Sequence, residues 1–112
     1  MPIQQWSDSI WIANFSDEPG LGEDLASLFE QIQKADDPPH LVIDLSGVQN
    51  LNSSHLAQLL RIRKIMIDRD VKLRLAAPTD AIWAIFLTTA LDKVFDFSGD
   101  VTTALASVQL DS

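Results

Sequence analysis

The chain carries few groups with chemistry of their own. They are two histidines, His40 and His55, two adjacent serines, Ser53 and Ser54, and carboxylate pairs at Asp17-Glu18, Glu23-Asp24 and Asp36-Asp37. Their spacing argues against most catalytic uses. His55 has no second histidine at helical spacing, which excludes a helical zinc pair, and neither ring is expected to bind metal. Beside a helix start His55 is expected to face solvent, and His40 to open a strand. Each carboxylate pair lies next to turn or helix-start residues, where negative charge is locally favourable, so solvated faces account for them better than acid–base work. Neither a Walker-type phosphate loop nor the G-x-G-x-x-G fingerprint occurs, and Gly20-Leu21-Gly22 reads as turn chemistry. With no cysteine there is no disulfide, thiolate metal site, iron–sulfur cluster or cysteine nucleophile. An enzymatic or nucleotide-binding reading has only Ser, His and Asp content behind it and no spacing. No catalytic residue, metal or cofactor is therefore assigned.

The serine pair is the informative feature. Asn52-Ser53-Ser54 offers three consecutive N-cap candidates ahead of a helical stretch, His55 to Asp68. A helix N-terminus presents unpaired N–H groups and a partial positive charge, so a phosphate on a serine there is tolerated by the domain itself. It also places about −2 of charge and three acceptor oxygens on a corner where another protein can dock. On spacing alone, simple capping of the helix is the favoured reading of the serines.

The elements that must position this corner are legible in outline. Trp6 to Phe15 alternates loosely and reads as one or two short strands. Asp17-Glu18-Pro19-Gly20 is a turn. From Gly22 to Lys34, Leu25, Leu28, Phe29 and Ile32 recur at helical spacing, and Asp36-Asp37-Pro38-Pro39 ends the helix. His40 to Leu45 suits a strand buried on both faces, followed by a loop over Ser46–Leu51. Leu56, Leu59, Leu60, Ile62, Met66 and Ile67 cover one broad side of the next helix. Asp70 to Leu75 alternates as a strand, Thr79 caps a helix over Asp80–Ala90, Val94-Phe95 makes a last strand, and a helix runs from Asp100 to Val108. Strands alternating with helices imply an α/β layered fold with a largely parallel sheet.

Two surface features stand apart from the serines. Trp83 and Leu87, four residues apart, read as a buried edge of the core, or else as an exposed patch for a partner or a second copy of the chain. Six of the eight basic residues fall between Arg61 and Arg74 and read as a solvated helix face. Arg63 falls inside the apolar arc and must snorkel or meet an acidic group.

Composition narrows the classes further. The chain has 112 residues, which is room for one domain spanning 1–112. Acidic residues outnumber basic ones 16 to 8, for a net charge of −8, so nucleic acid and anionic membrane surfaces are poor partners. The longest apolar run, Ala81 to Leu87, is too short to cross a bilayer, and Met1-Pro2-Ile3-Gln4 does not open a secretory signal. A cytoplasmic location is expected.

Three segments together carry a family resemblance: Leu41-Val42-Ile43-Asp44-Leu45-Ser46-Gly47-Val48, Leu51-Asn52-Ser53-Ser54, and Leu56-Ala57-Gln58-Leu59-Leu60. They resemble the signature of STAS domains, the anti-sigma factor antagonists (anti-anti-sigma factors) and their relatives. Ala90-Leu91-Asp92-Lys93-Val94-Phe95 is similar to the family's Gly-Leu-x-x-Val-Phe segment, and Val101 to Val108 to its closing helix. The resemblance implies a small mixed, largely parallel sheet with about four helices packed mainly on one side. It also implies partner switching. The unphosphorylated domain binds an anti-sigma factor that is also a serine kinase, phosphorylation at the start of the second main helix ends that binding, and a serine phosphatase restores it. The family motif, Asp-Ser-(Ser or Thr)-Gly, falls on Asn52 to His55. The implied acceptor is Ser54, with Ser53 second, and Glu18, Asn52, His55 and Gln58 are the implied partner-binding residues. Asn52 stands where the family usually has Asp, and His55 where it usually has Gly. These two departures leave open a non-phosphorylated scaffold, or an accessory subunit of a signalling complex or lipid transporter.

Overall fold

The computed structural model describes residues 3–111. Strands β1 (Ile3–Gln5) and β2 (Ile10–Ser16) form an antiparallel hairpin. There follow α1 (Leu21–Lys34), β3 (His40–Gly47), α2 (Ser53–Asp68), β4 (Leu73–Ala76), α3 (Asp80–Thr88), a single 3-10 turn at Leu91–Lys93, β5 (Phe97–Ser98) and α4 (Val101–Asp111). The sheet runs β1-β2-β3-β4-β5, with every pair after the hairpin parallel. This is the expected α/β architecture.

The period-two alternation of the strands decides the layers. Ala13 and Phe15 of β2, Leu41, Ile43 and Leu45 of β3, and Leu75 of β4 meet Leu25, Leu28 and Ile32 of α1, Leu59, Ile62 and Met66 of α2, and Ile82 and Phe86 of α3. Ile10, Ile12, Val42 and Ala76 face the other way and meet Ala104 and Val108 of α4. Three helices thus cover one face and one helix the other. Among the described residues no helix is long and apolar enough to cross a membrane.

Several local expectations are corrected. The last strand is Phe97–Ser98, paired with Leu75 and Ala76 of β4, and not Val94-Phe95. Val94 and Phe95 follow the 3-10 turn instead, and Phe95 is buried with its ring edge-on to Phe86. Two adjacent apolar residues signalled burial rather than a ladder. The strand read from Asp70 begins at Leu73, because Asp70, with φ of 57°, is still completing the exit from α2. Leu60 and Ile67 are exposed, so the apolar arc of α2 is narrower than its sequence implied. Among the described residues Arg63 meets no acid, and its Nε donates to the Val94 carbonyl at 3.0 Å.

Two small residues shape the turns near the sheet edge. A Cβ on Gly47 would lie 2.7 Å from the Phe15 carbonyl oxygen, so only glycine lets β3 pass β2 where their register shifts. Ala90, which ends α3, has φ of 60°. That left-handed conformation favours glycine, and gives a physical reason for the glycine at this point of the family pattern.

Candidate functional site

The carboxyl ends of the parallel strands feed three loops that meet at the start of α2. The loop after β3 has many backbone N–H groups and no ladder to receive them, so side chains from neighbouring loops do so. Asp17 Oδ1, just beyond β2, accepts from the backbone N–H of Gln49 at 2.8 Å and of Asn50 at 3.1 Å. Thr79, the N-cap of α3, donates from Oγ1 to the Val48 carbonyl at 3.1 Å and accepts from Ile82 N–H at 3.3 Å. The loop is therefore held from both sides.

Asn52 is the N-cap of α2. Its Oδ1 accepts from His55 N–H at 2.9 Å, and the His55 ring returns the contact, with Nδ1 accepting from Asn52 N–H at 3.1 Å. This is a capping box with histidine where Glu or Gln is usual. Because Nδ1 accepts, the ring proton sits on Nε2, which donates to Glu18 Oε1 at 2.7 Å. The same oxygen accepts from Gly22 N–H, in the first turn of α1, at 2.8 Å. The hydrogen bond from His55, and next that from Gly22, holds the Glu18 carboxyl below the usual carboxylate range. The ring is only 4% exposed, so the expectation of a solvent-facing His55 is overturned. An acceptor on α1's side and a donor on α2's own backbone together make a polar pocket that a helix surface alone does not offer.

Ser53 and Ser54 are the first two residues of α2, and both are exposed. Neither hydroxyl is hydrogen-bonded to another described residue, since Asn52 does the capping. The simple-capping explanation of the serines therefore fails. Gln58, one turn further on, donates from Nε2 to the Gly22 carbonyl at 3.0 Å, while its buried Oε1 has no partner among the described residues. Glu18, Asn52, His55 and Gln58 are thus brought into one hydrogen-bonded corner with the serines at its surface. The stretches that build it, 17–24, 44–58 and 76–83, carry six acidic residues and no Lys or Arg, so they offer no basic side chain to a negative group on a serine.

Trp83 and Leu87 lie elsewhere, on α3. They are 37% and 51% exposed, so the buried-edge reading is corrected in favour of an exposed patch. Ile82 and Phe86 take the inner side of α3, and Trp83 packs edge-on against Phe97 at 5.1 Å between ring centroids. Asp17 and Thr79 were missed as parts of the corner. Their partners lie more than thirty residues away in sequence, and local turn and cap signals describe only what each does to its own neighbours.

The STAS domain family model matches residues 14–104, and the chain belongs to the STAS domain family. Among solved structures it is similar to a Thermotoga maritima protein described as a candidate anti-sigma factor antagonist, with a TM-score of 0.81 at 17% identity over 96% of this chain and 93% of that one. An anti-sigma-factor antagonist (STAS) domain protein from Planctomyces limnophilus gives 0.77 at 20% identity, over 89% and 91%. A serine-to-glutamate variant of RsbS from Moorella thermoacetica gives 0.74 at 17% identity, over 97% and 96%. At these identities the likeness is one of fold. A sequence search of curated proteins finds no match.

Proposed function

We propose that this chain acts as one regulatory STAS domain of the anti-sigma factor antagonist type, without enzymatic activity, in the cytoplasm. In its unmodified form it binds an anti-sigma factor that is also a serine kinase. Phosphorylation of Ser54, with Ser53 as the alternative acceptor, ends the binding, and a serine phosphatase restores it. The observation that carries this reading is the exposure of two hydroxyls that the fold does not use, on the first turn of a helix whose cap is supplied by Asn52. A phosphate there faces free helix N–H groups and costs the domain little. It adds about −2 to a corner that is already acidic, and a bound partner would have to bury that charge. Glu18 and Asn52 form the reachable rim of the docking corner. His55 and Gln58 support it from behind.

Intact-mass analysis tests the reading, after incubation with ATP and each anti-sigma-type serine kinase of the same genome. One phosphate on the wild type and none on Ser54→Ala is expected. Equal addition to the wild type and to the double Ser53→Ala, Ser54→Ala variant, or no addition with any kinase, overturns it. A second reading, the non-phosphorylated scaffold or accessory subunit, is favoured by the way His55 is built into the helix start. It predicts one stable co-purifying partner whose binding is unchanged by Ser54→Asp.

A further inference from the structure

The hydrogen bonds of the corner form one connected chain. Glu18 Oε1 takes the Gly22 N–H from α1 and the Nε2–H of His55, Nδ1 of that ring takes the Asn52 N–H, and Asn52 Oδ1 takes the His55 N–H. A single carboxylate oxygen therefore joins the first turns of α1 and α2. It does so through a buried ring, where water does not readily replace a lost partner. The two backbone N–H groups held at the far end, those of Asn52 and His55, flank Ser53 and Ser54 on either side. A glycine at position 55 would make neither ring contact, so this linkage belongs to the histidine of this chain.

We infer that Glu18 and His55 are positioning residues for the serine turn. Acting through the ring, the Glu18 carboxylate fixes the backbone on both sides of the serines, and so sets the geometry in which Ser54 meets a kinase and a partner. The turn after β2 and the first turn of α2 then behave as one surface, and a protein that displaces Glu18 loosens the serines. The functional half of this inference rests on the phosphorylation switch proposed above. The structural half rests on the hydrogen bonds alone.

The chain alone tests the structural half, by amide hydrogen exchange and by nitrogen NMR of the His55 ring. Glu18→Ala should raise exchange at Asn52 by about tenfold, and the Nε2–H signature of the ring should be lost. Glu18→Gln, whose side-chain oxygen can still accept both bonds, should stay within about threefold of the wild type. His55→Gly should resemble Glu18→Ala at Asn52. Exchange at Ile43, central in β3, should be unchanged in all three, which separates a loosened turn from a destabilised fold. Asn52 exchange in Glu18→Ala within about twofold of the wild type overturns the linkage. With a kinase that modifies the wild type, the initial rate on Ser54 should fall about tenfold in Glu18→Ala and recover in Glu18→Gln, because catalysis is sensitive to small misplacements of the reacting group. Equal rates despite raised exchange overturn the positioning role. Raised exchange with no phosphorylation of the wild type upholds the linkage and rejects the switch.

Discussion

Asn52, rather than either serine, carries the N-terminal end of α2, and this separates the three variants by a measurable margin. Asn52→Ala removes the acceptor that takes His55 N–H at 2.9 Å and leaves that donor facing the helix axis. Loss of an Asn cap costs about 1 kcal/mol. For a chain of 112 residues the unfolding entropy near the midpoint is about 0.24 kcal/mol/K. The expected fall in Tm is therefore about 4 °C. The reciprocal bond, from Asn52 N–H to the His55 ring, involves the backbone of residue 52 and survives the substitution, so the loss should not exceed about 2 kcal/mol. Asn52→Asp keeps the acceptor and adds a negative charge at a helix N-terminus, and should melt at or above the wild type. The double Ser53→Ala, Ser54→Ala variant removes hydroxyls that bond to no described residue and puts a better helix former at both positions. Its Tm should stay within about 2 °C of the wild type. Thermal unfolding followed by circular dichroism reads all three. If the double serine variant loses as much as Asn52→Ala, or Asn52→Ala loses nothing, the assignment of the cap is wrong. The phosphorylation test would then be confounded by a change in stability.

Other substitutions probe the frame around the corner. Ala90→Gly relieves a left-handed residue at φ of 60° and should raise stability by about 1 kcal/mol in a denaturant titration. Gly47→Ala forces a Cβ to within 2.7 Å of the Phe15 carbonyl oxygen; a loss of about 1–3 kcal/mol is expected on the same titration. Arg69→Ala removes a guanidinium that donates to the Ile32, Gln33 and Ala35 carbonyls at the end of α1, and should cost about 1–2 kcal/mol, with Arg69→Lys recovering only part. Glu18 is held below its ordinary value, so the fold's preference for the ionised carboxylate contributes stability above the usual carboxylate range and loses it as the pH falls through the lowered value. Stability measured from neutral pH downward should therefore fall less steeply in Glu18→Gln than in the wild type. An identical slope would show that the His55 contact does not form.

Much of this protein was legible from local pattern, because local pattern is what dictates local backbone. Helical spacing of Leu25, Leu28 and Ile32 marks a one-sided helix, and the short, β-branched apolar run from Leu41 to Ile43 suits a strand covered on both faces. The Asn52-Ser53-Ser54 start and the family resemblance followed from the same neighbourhood. Where two readings were locally equivalent, the pattern could not choose. Val94-Phe95 is the more apolar pair and read as the last strand, yet it is Phe97-Ser98 that pairs with Leu75 and Ala76 of β4. Trp83 and Leu87 have the residue types of a core, and only the position of Ile82 and Phe86 against the sheet turned them outward.

The sequence by itself determined the α/β class, the order of the elements and the position of two serines at the head of a helix. Those properties depend on residues within a turn or two of one another. Tertiary structure alone decided what the serines and His55 are doing there. Glu18 and His55 are 37 residues apart, and Asp17 and Gln49 are 32 apart. Their contacts exist only because parallel strands bring successive loops to one edge of the sheet. There the unpaired N–H groups of one loop meet the carboxylates of another, and the hydroxyls that no local rule could distinguish from caps are left exposed.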